Sequence, residues 1–380
     1  MIKYTKYAIL TVLFLIVIFP LAIYDGFKAD REYSEVENRG LRQMPSVSLD
    51  GVLSGEFFTE YEEYRKDQYI FKDDIVGSYL KLNFYVLNRD KINGFYLGDN
   101  GRLYEDEKLE VNKLKEFVKK KNEFIISLNN SLEGMGVKMY NMYAPFSSDY
   151  NMDNLPEYAK YNMKRVFEFE KQIDSVSSNV DYINARELFK DDPTGDKYYY
   201  KTDHHWNIEG AYKAYEYIVN KAKKDFQGIE DPLEPYNGFM VDTYYEFNGS
   251  YNRQLQFNVS NKEDFKVYRP SKDLARERIT GEKLGQDIID KSLIESPSTY
   301  STFMGGDMPK DIVKTGRSNL PNVLVIGNSF TNSLETLLYA NFNEMHSIDV
   351  RESNLERVDI PAYVKKHNIN LVVYIHGGIK

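Results

Sequence analysis

The longest apolar stretch of the chain is also its first. From Tyr7 to Tyr24 eighteen residues run without a charge, preceded by Lys3 and Lys6. At 1.5 Å per residue a helix of that length is about 27 Å long, enough to cross a hydrocarbon core. Residues 1–24 are therefore expected to form a transmembrane anchor. The lysines should hold the leading segment in the cytoplasm and leave everything beyond Asp25 outside. The other reading is a cleaved signal peptide, which would end in a small-x-small site; no clear one is visible, and both readings export the rest. A second apolar run of this length does not occur, which excludes a multi-span transporter. Residues 25–55 are polar, carry no sustained apolar period, and read as a linker.

Residues 56–380 then read as the catalytic domain. Residues 57–87 are mixed and aromatic, with a helical pattern, and Asn93-Gly94 and Asn100-Gly101 mark turns between short aromatic strands. An alternating rhythm follows. Val111, Leu114, Phe117, Val118, Phe124, Ile125 and Leu128 recur at three and four residues, one face of a long helix, and Val137–Ala144 reads as a strand. Tyr161–Ile173 reads as helix and Val180–Ala185 as strand. A helical stripe runs from Ile208 through Ala211, Tyr212, Tyr215, Ile218 and Val219 to Ala222. Asn322–Ile326 is a short apolar strand, residues 330–341 a helix, and Leu371–Ile375 a last strand. Nearly all-apolar strands alternating with amphipathic helices predict an α/β fold, a parallel sheet covered by helices on both faces. Residues 227–318 break the rhythm and read as an inserted loop and strand segment at the rim of the site.

Composition narrows the chemistry. The net charge of −9 argues against a nucleic-acid partner, which would call for a basic stripe. The absence of cysteine excludes disulfides, thiolate catalysis, Fe–S clusters and cysteine-ligated zinc. Only five histidines are available, two of them in Thr202-Asp203-His204-His205-Trp206-Asn207 together with the single tryptophan. Asn207 suits the N-cap of the helix that begins near Ile208, and Glu209 its first turn. In extended backbone Asp203 and His205 would share one face, with His204 and Trp206 on the other, so that the carboxylate could orient the imidazole. A hydrogen-bonded surface turn is the plain structural alternative.

The second signal is Val323-Leu324-Val325-Ile326-Gly327-Asn328-Ser329-Phe330, a strand that runs through glycine into a serine at a helix start. A serine there could be a nucleophile whose own N–H helps hold an oxyanion, or simply an N-cap. Taken together, Ser329 as nucleophile, His205 as general base and Asp203 as its orienter fill the three triad roles. Ser329 lies 124 residues beyond His205, and the carboxyl ends of parallel strands are where such loops converge.

The string Asp203-His204-His205-Trp206 resembles the motif of the DHHW family of exported bacterial proteins. That family is similar to the SGNH-hydrolase-like proteins of alginate O-acetylation, the AlgJ/AlgX type. Asp203, His205 and Trp206 match their Asp-x-His-Trp element, and Gly327 and Ser329 their Gly-x-Ser element, in the same order along the chain. The resemblance covers about residues 55–380 and implies an SGNH-like, flavodoxin-like sheet. It also implies O-acyl transfer, most simply of acetyl, to an exported polysaccharide through an acyl-serine. A multi-span membrane-bound O-acyltransferase of MBOAT type would be the donor, with no cofactor and no metal. Asn328 departs from the usual Gly-Asp-Ser, and Asp-x-His from the usual Asp-x-x-His. The oxyanion asparagine and glycine have no firm counterparts; Asn141 and Gly249 are candidates.

Several readings compete. His204 could be the base if the loop is not extended. An esterase would use the same triad with water as acceptor. Asp-His-His also occurs in manganese phosphoesterases, which need further carboxylate motifs that do not match here. A non-catalytic polysaccharide-binding protein could stack sugars on Tyr198–Tyr200 and Tyr244-Tyr245, although such tyrosines more often belong to a core. His346, His367 and His376 read as structural. A histidine base with the ordinary pKa near 6.5 predicts activity rising through about pH 6 to 7.

Overall fold

The computed structural model describes residues 2–378 apart from 38, 99, 107–110, 148–154, 156, 160–179, 193, 246, 260–262, 282, 285–286, 297–298 and 352–357. The helix expected at Tyr161–Ile173 lies outside the described residues. The chain divides into two units, residues 1–88 and 89–380.

In the first unit, α1 (Ile2–Phe27) contains the apolar stretch Tyr7–Phe27, long and apolar enough to cross a membrane. The polar run that follows, read as a linker, carries a two-residue ladder, β1 (Tyr33–Ser34) with β2 (Arg39–Gly40), and the short helix α2 (Leu49–Ser54). Its polar groups are tied to the end of α3 (Glu56–Gln68). The Arg39 guanidinium forks onto both Asp67 oxygens at 2.6 and 2.7 Å, and Gln68 brackets Arg31 through its N–H and its carbonyl. Helix α4 (Lys72–Lys81) runs on into one wider π turn, Leu82–Val86.

The second unit opens with three short antiparallel strands, β3 (Lys91–Ile92), β4 (Phe95–Leu97) and β5 (Leu103–Glu105). The first turn holds Asn93 and Gly94 at φ 48° and 84°, the left-handed pair that an Asn-Gly hairpin requires. Helix α5 (Val111–Glu133), β6 (Lys138–Ala144), β7 (Tyr182–Asn184) and α6 (Ile208–Asp225) follow the predicted rhythm. The 227–318 segment holds β8 (Glu234–Pro235), β9 (Gly238–Tyr244), the short helix α7 (Ser250–Gln254), β10 (Phe265–Pro270), β11 (Glu277–Thr280), β12 (Lys283–Leu284) and β13 (Lys310–Lys314). The chain closes with β14 (Val323–Gly327), α8 (Phe330–Leu338), β15 (Glu344–Asp349), α9 (Ile360–Lys366) and β16 (Leu371–Gly377).

Among the described residues eight strands make the main sheet, in the order β12-β11-β13-β15-β14-β16-β6-β7. The five from β15 to β7 are parallel, as predicted. The segment 227–318 does more than line the rim: Ser250 and Tyr300 lie against Asp203 and His205, while β13, β11 and β12 extend the sheet antiparallel beyond β15. The fold is thus α/β with a mixed sheet. In the central strand Val323 and Val325 face the layer of α6 and α8, while Leu324 and Ile326 face that of α5 and α9. Both faces are covered, which is why β14 and β16 read as unbroken apolar runs. Val118, Ile125 and Leu128 of α5 are buried as the stripe predicted and Leu132 extends it, whereas Phe124 sits at its edge and meets the Tyr374 ring.

Candidate active site

Gly327 ends β14 beneath backbone that leaves no room for a side chain. A Cβ there would lie 2.5 Å from the Ile375 carbonyl oxygen and 2.4 Å from Thr331 Cγ2. The glycine is needed for close approach, and the chain turns at once into α8. Asn328 takes over the capping work: its Oδ1 accepts from the Phe330 N–H at 3.3 Å, and its Nδ2 donates to the Gly377 carbonyl at 3.0 Å. The Ser329 side chain makes no capping bond to α8. Its Oγ instead lies 2.7 Å from His205 Nε2, and Ser329 as a whole is only 7% exposed.

The Asp-His-His-Trp loop reaches this point along a different route from the extended one predicted. Residues 201–205 form bends rather than strand. Asp203 Oδ1 accepts from both the His205 backbone N–H (2.9 Å) and His205 Nδ1–H (2.6 Å), so a local side-chain turn brings the pair together. A carboxylate can only accept, which puts the imidazole proton on Nδ1 and leaves Nε2 free to accept from Ser329. Asp203 Oδ2 accepts from the Ser250 amide at 2.6 Å. Burial alone would raise the Asp203 carboxyl, but His205, His204 and these hydrogen bonds outweigh it and hold it well below the usual carboxylate range.

The bends overturn one expectation. His204 does not point away from His205: the two rings lie 3.7 Å apart, and His204 Nδ1 is 2.9 Å from Ser250 Oγ. The hydrogen bond to Ser329, however, is made by His205. Polar atoms of Asp203, His204 and His205 lie within 4.8 Å of one another, but those of Asp203 and His205 Nδ1 are already bonded to each other and to Ser250. A metal ion held there would have to replace the orienting contact.

Several supports come from far along the chain. Gly249 packs against the loop so closely that a Cβ would sit 2.1 Å from the Thr202 carbonyl oxygen. Glu263 accepts from the N–H groups of Lys201 and Thr202 and from the Thr202 hydroxyl. Trp206, fully buried, donates from Nε1 to Ser333 Oγ (3.0 Å) and the Phe330 carbonyl (3.1 Å), fastening the loop to α8. Asn207 caps α6 as predicted, accepting from the Glu209 and Gly210 amides.

The two oxyanion candidates fall elsewhere. The Gly249 N–H donates to Thr202 Oγ1, and Asn141 lies mid-strand opposite Tyr374, donating to the Asp181 carbonyl. Tyr198–Tyr200 are buried and cannot stack on a sugar, while Tyr245 is 79% exposed. His346 is bonded to Tyr363 and Glu344, and His376 packs among Tyr143, Tyr182 and Tyr374.

Residues 96–305 match the family model of the SGNH hydrolase-like domain of the acetyltransferase AlgX. The match takes in the Asp-His-His-Trp loop and ends before Ser329. No curated protein sequence matches the chain. Among solved structures it is similar to a DHHW family protein from Eubacterium siraeum, with 20% identity and a TM-score of 0.57 over 76% of this chain and 91% of that one. Bacillus cereus PatB1 is also similar, with 20% identity and a TM-score of 0.56 over 74% of this chain and 95% of that one. At such identities the likeness is one of fold.

Proposed function

The chain belongs to the SGNH hydrolase-like AlgX acetyltransferase family, and from that premise we propose that it transfers an acyl group, most simply acetyl, to a polysaccharide hydroxyl through an acyl-serine at Ser329. The observation that carries the proposal is the continuous line of hydrogen bonds from Ser329 Oγ through His205 to Asp203, at 2.7 and 2.6 Å.

In the first half, His205 Nε2 takes the hydroxyl proton as Ser329 Oγ bonds to the donor's carbonyl carbon. The Ser329 N–H at the α8 N-terminus supports the oxyanion. As the tetrahedral adduct collapses, the imidazolium returns that proton to the departing alkoxide. In the second half a sugar hydroxyl gives its proton to Nε2 and bonds to the acyl carbon; as that adduct collapses the acyl–Oγ bond breaks and the proton goes back to Ser329 Oγ. Asp203 keeps Nδ1–H in place throughout and offsets the imidazolium charge. The apolar stretch of α1 supports a single-pass anchor with the site on the extracytoplasmic side, beside a membrane-borne donor of the O-acyltransferase class.

The test is an acceptor competition. Full-length protein in detergent is given an activated acetyl ester together with neutral and uronic acid oligosaccharides, and the products are read by mass. Acetylated oligosaccharide, absent with Ser329→Ala, is the expected result. Acetate alone from the wild type, with no transfer to any sugar, would point to an esterase using the same triad. Equal turnover by both proteins would remove Ser329 from the chemistry and leave carbohydrate binding as the better reading.

A further inference from the structure

While it carries the serine proton, His205 must be a cation in a largely dry site, with Nδ1 held on Asp203 and Nε2 on Ser329. A second ring lies flat against it. The Tyr300 and His205 centroids are 3.9 Å apart and their planes only 4° from parallel. Tyr300 belongs to a 3₁₀ turn (Thr299–Thr302) of the 227–318 segment and is buried. Its hydroxyl lies 3.0 Å from Ser333 Oγ, which also accepts from Trp206 Nε1 at 3.0 Å. Ser333 is one helical turn beyond Ser329 on α8. Phe330 also packs on His205, tilted, with centroids 5.0 Å apart.

These contacts close a circuit. Ser329 is hydrogen-bonded to His205, His205 is stacked on Tyr300, Tyr300 is bonded to Ser333, and one turn of α8 leads back to Ser329. An aromatic face carries negative potential and favours a cation above it, more so where water is excluded. The stack therefore distinguishes imidazolium from imidazole, which packing by an aliphatic side chain would not do.

We propose that Tyr300 is a positioning residue for the Ser329–His205–Asp203 site, its ring fixing the plane of the His205 imidazole and stabilising the protonated form, with Ser333 pinning the ring in place. The proposal rests on the acyl-transfer reading above. No bond forms to Tyr300; the proton still passes between Ser329 Oγ, His205 Nε2 and the leaving or entering hydroxyl. The titratable groups that face His205 are Asp203 and His204 on its own loop, Ser329 at the start of α8, and Tyr300 itself. All but Tyr300 are unchanged in the test variants, so a difference between variants reports the ring.

The experiment compares full-length wild type, Tyr300→Phe, Tyr300→Leu and Ser333→Ala in detergent, each checked for folding by near-ultraviolet circular dichroism. One readout is the pH dependence of inactivation by a serine-directed fluorophosphonate. The other is NMR titration of 13C-labelled histidine, with His205 identified by the signal lost in His205→Asn. Tyr300→Phe keeps the ring and should titrate as wild type does. Ser333→Ala should react several-fold more slowly with little change in midpoint. In Tyr300→Leu the His205 midpoint and the acid limb should both fall by about half a pH unit to one unit, and the rate about tenfold.

An unchanged midpoint in Tyr300→Leu overturns the proposal, since a merely structural role for the ring would slow the reaction and leave the titration where it is. If that variant does not fold, pentafluorophenylalanine at position 300 replaces it, matching Phe in shape with the ring potential reversed. A midpoint below that of Tyr300→Phe supports the proposal and an equal one overturns it. If wild type itself does not react with the probe, the acyl-transfer reading fails, while the NMR midpoints still decide the role of the stack.

Discussion

Replacing Asp203 by asparagine changes almost no volume but asks one oxygen to do the work of two. Asp203 Oδ1 accepts from His205 N–H and Nδ1–H, and Oδ2 from the Ser250 amide. If the oxygen of the introduced amide faces His205, its NH2 meets the Ser250 amide, donor against donor, across 2.6 Å. A buried N–H left unpaired in this way costs about 1–3 kcal/mol. If the introduced amide flips, its NH2 faces Nδ1 and forces the proton onto Nε2, which can then no longer accept from Ser329. Either way the imidazolium loses its counter-charge. In the serine-protease template the equivalent change lowers kcat about 10⁴-fold with the geometry intact, or about 5.5 kcal/mol. We expect Asp203→Asn to slow modification of Ser329 by a fluorophosphonate, followed by intact mass at pH 7, by at least about 10³-fold. Its thermal midpoint should move by only a few degrees. A variant that keeps more than a tenth of the wild-type rate would refute the assignment of Asp203 as orienter.

Three further outcomes follow from the same contacts. His204→Gln should keep the Ser329–His205 bond and lose less than about tenfold in acylation rate, whereas His205→Gln should lose about 10³-fold or more; equal losses would return the base role to His204. Gly249→Ala puts a Cβ against backbone that cannot yield, and should cost roughly 1–3 kcal/mol in urea unfolding together with most of the acylation rate. An unaffected variant would mean that the loop is not braced there. Burial pushes the Glu335 carboxyl up to about 7 from 4.5, so between those values the unfolded chain releases a proton that the folded one keeps. Stability on this account falls as pH rises through that window, by at most about 1.4 kcal/mol per unit. Glu335→Gln should flatten that part of the curve and gain stability at pH 8; a curve parallel to wild type contradicts the assignment.

What the sequence disclosed and what it withheld follow the range of the contacts. The stripes of α5 and α6 and the apolar runs of β14 and β16 are local, and period and composition predicted them. β15, Glu-Met-His-Ser-Ile-Asp, is central to the sheet yet has no apolar run, because its buried polar groups are paired by other elements, as His346 is by Tyr363. The antiparallel edge strands β11–β13 are short and mixed, and their pairing is set by neighbours rather than by pattern. At the site, Asp203, His205 and Ser329 were visible as residue types at turns. The face of His204 is not legible in the sequence, because the Asp203 carboxylate folds the backbone back on itself where the pattern suggests an extended chain. Asn328 beside Ser329 departs from the Gly-Asp-Ser motif, and its capping bonds give that departure a physical reason. Glu263 and Tyr300 carry no local signal, and Gly249 stands out only for an oxyanion role that its N–H, bonded to Thr202, does not fill; each acts across tens of residues, through amide capture, ring stacking or backbone approach.

The central claim is that Ser329 carries the acyl group, and mass spectrometry tests it most directly. Full-length wild type and Ser329→Ala are exposed to an activated acetyl ester, quenched in acid, weighed intact and mapped by peptide. The account predicts one acetyl group on the wild type, on the peptide containing Ser329, and none on the variant. An acetyl that appears equally in both proteins, or that maps to another residue, would contradict it.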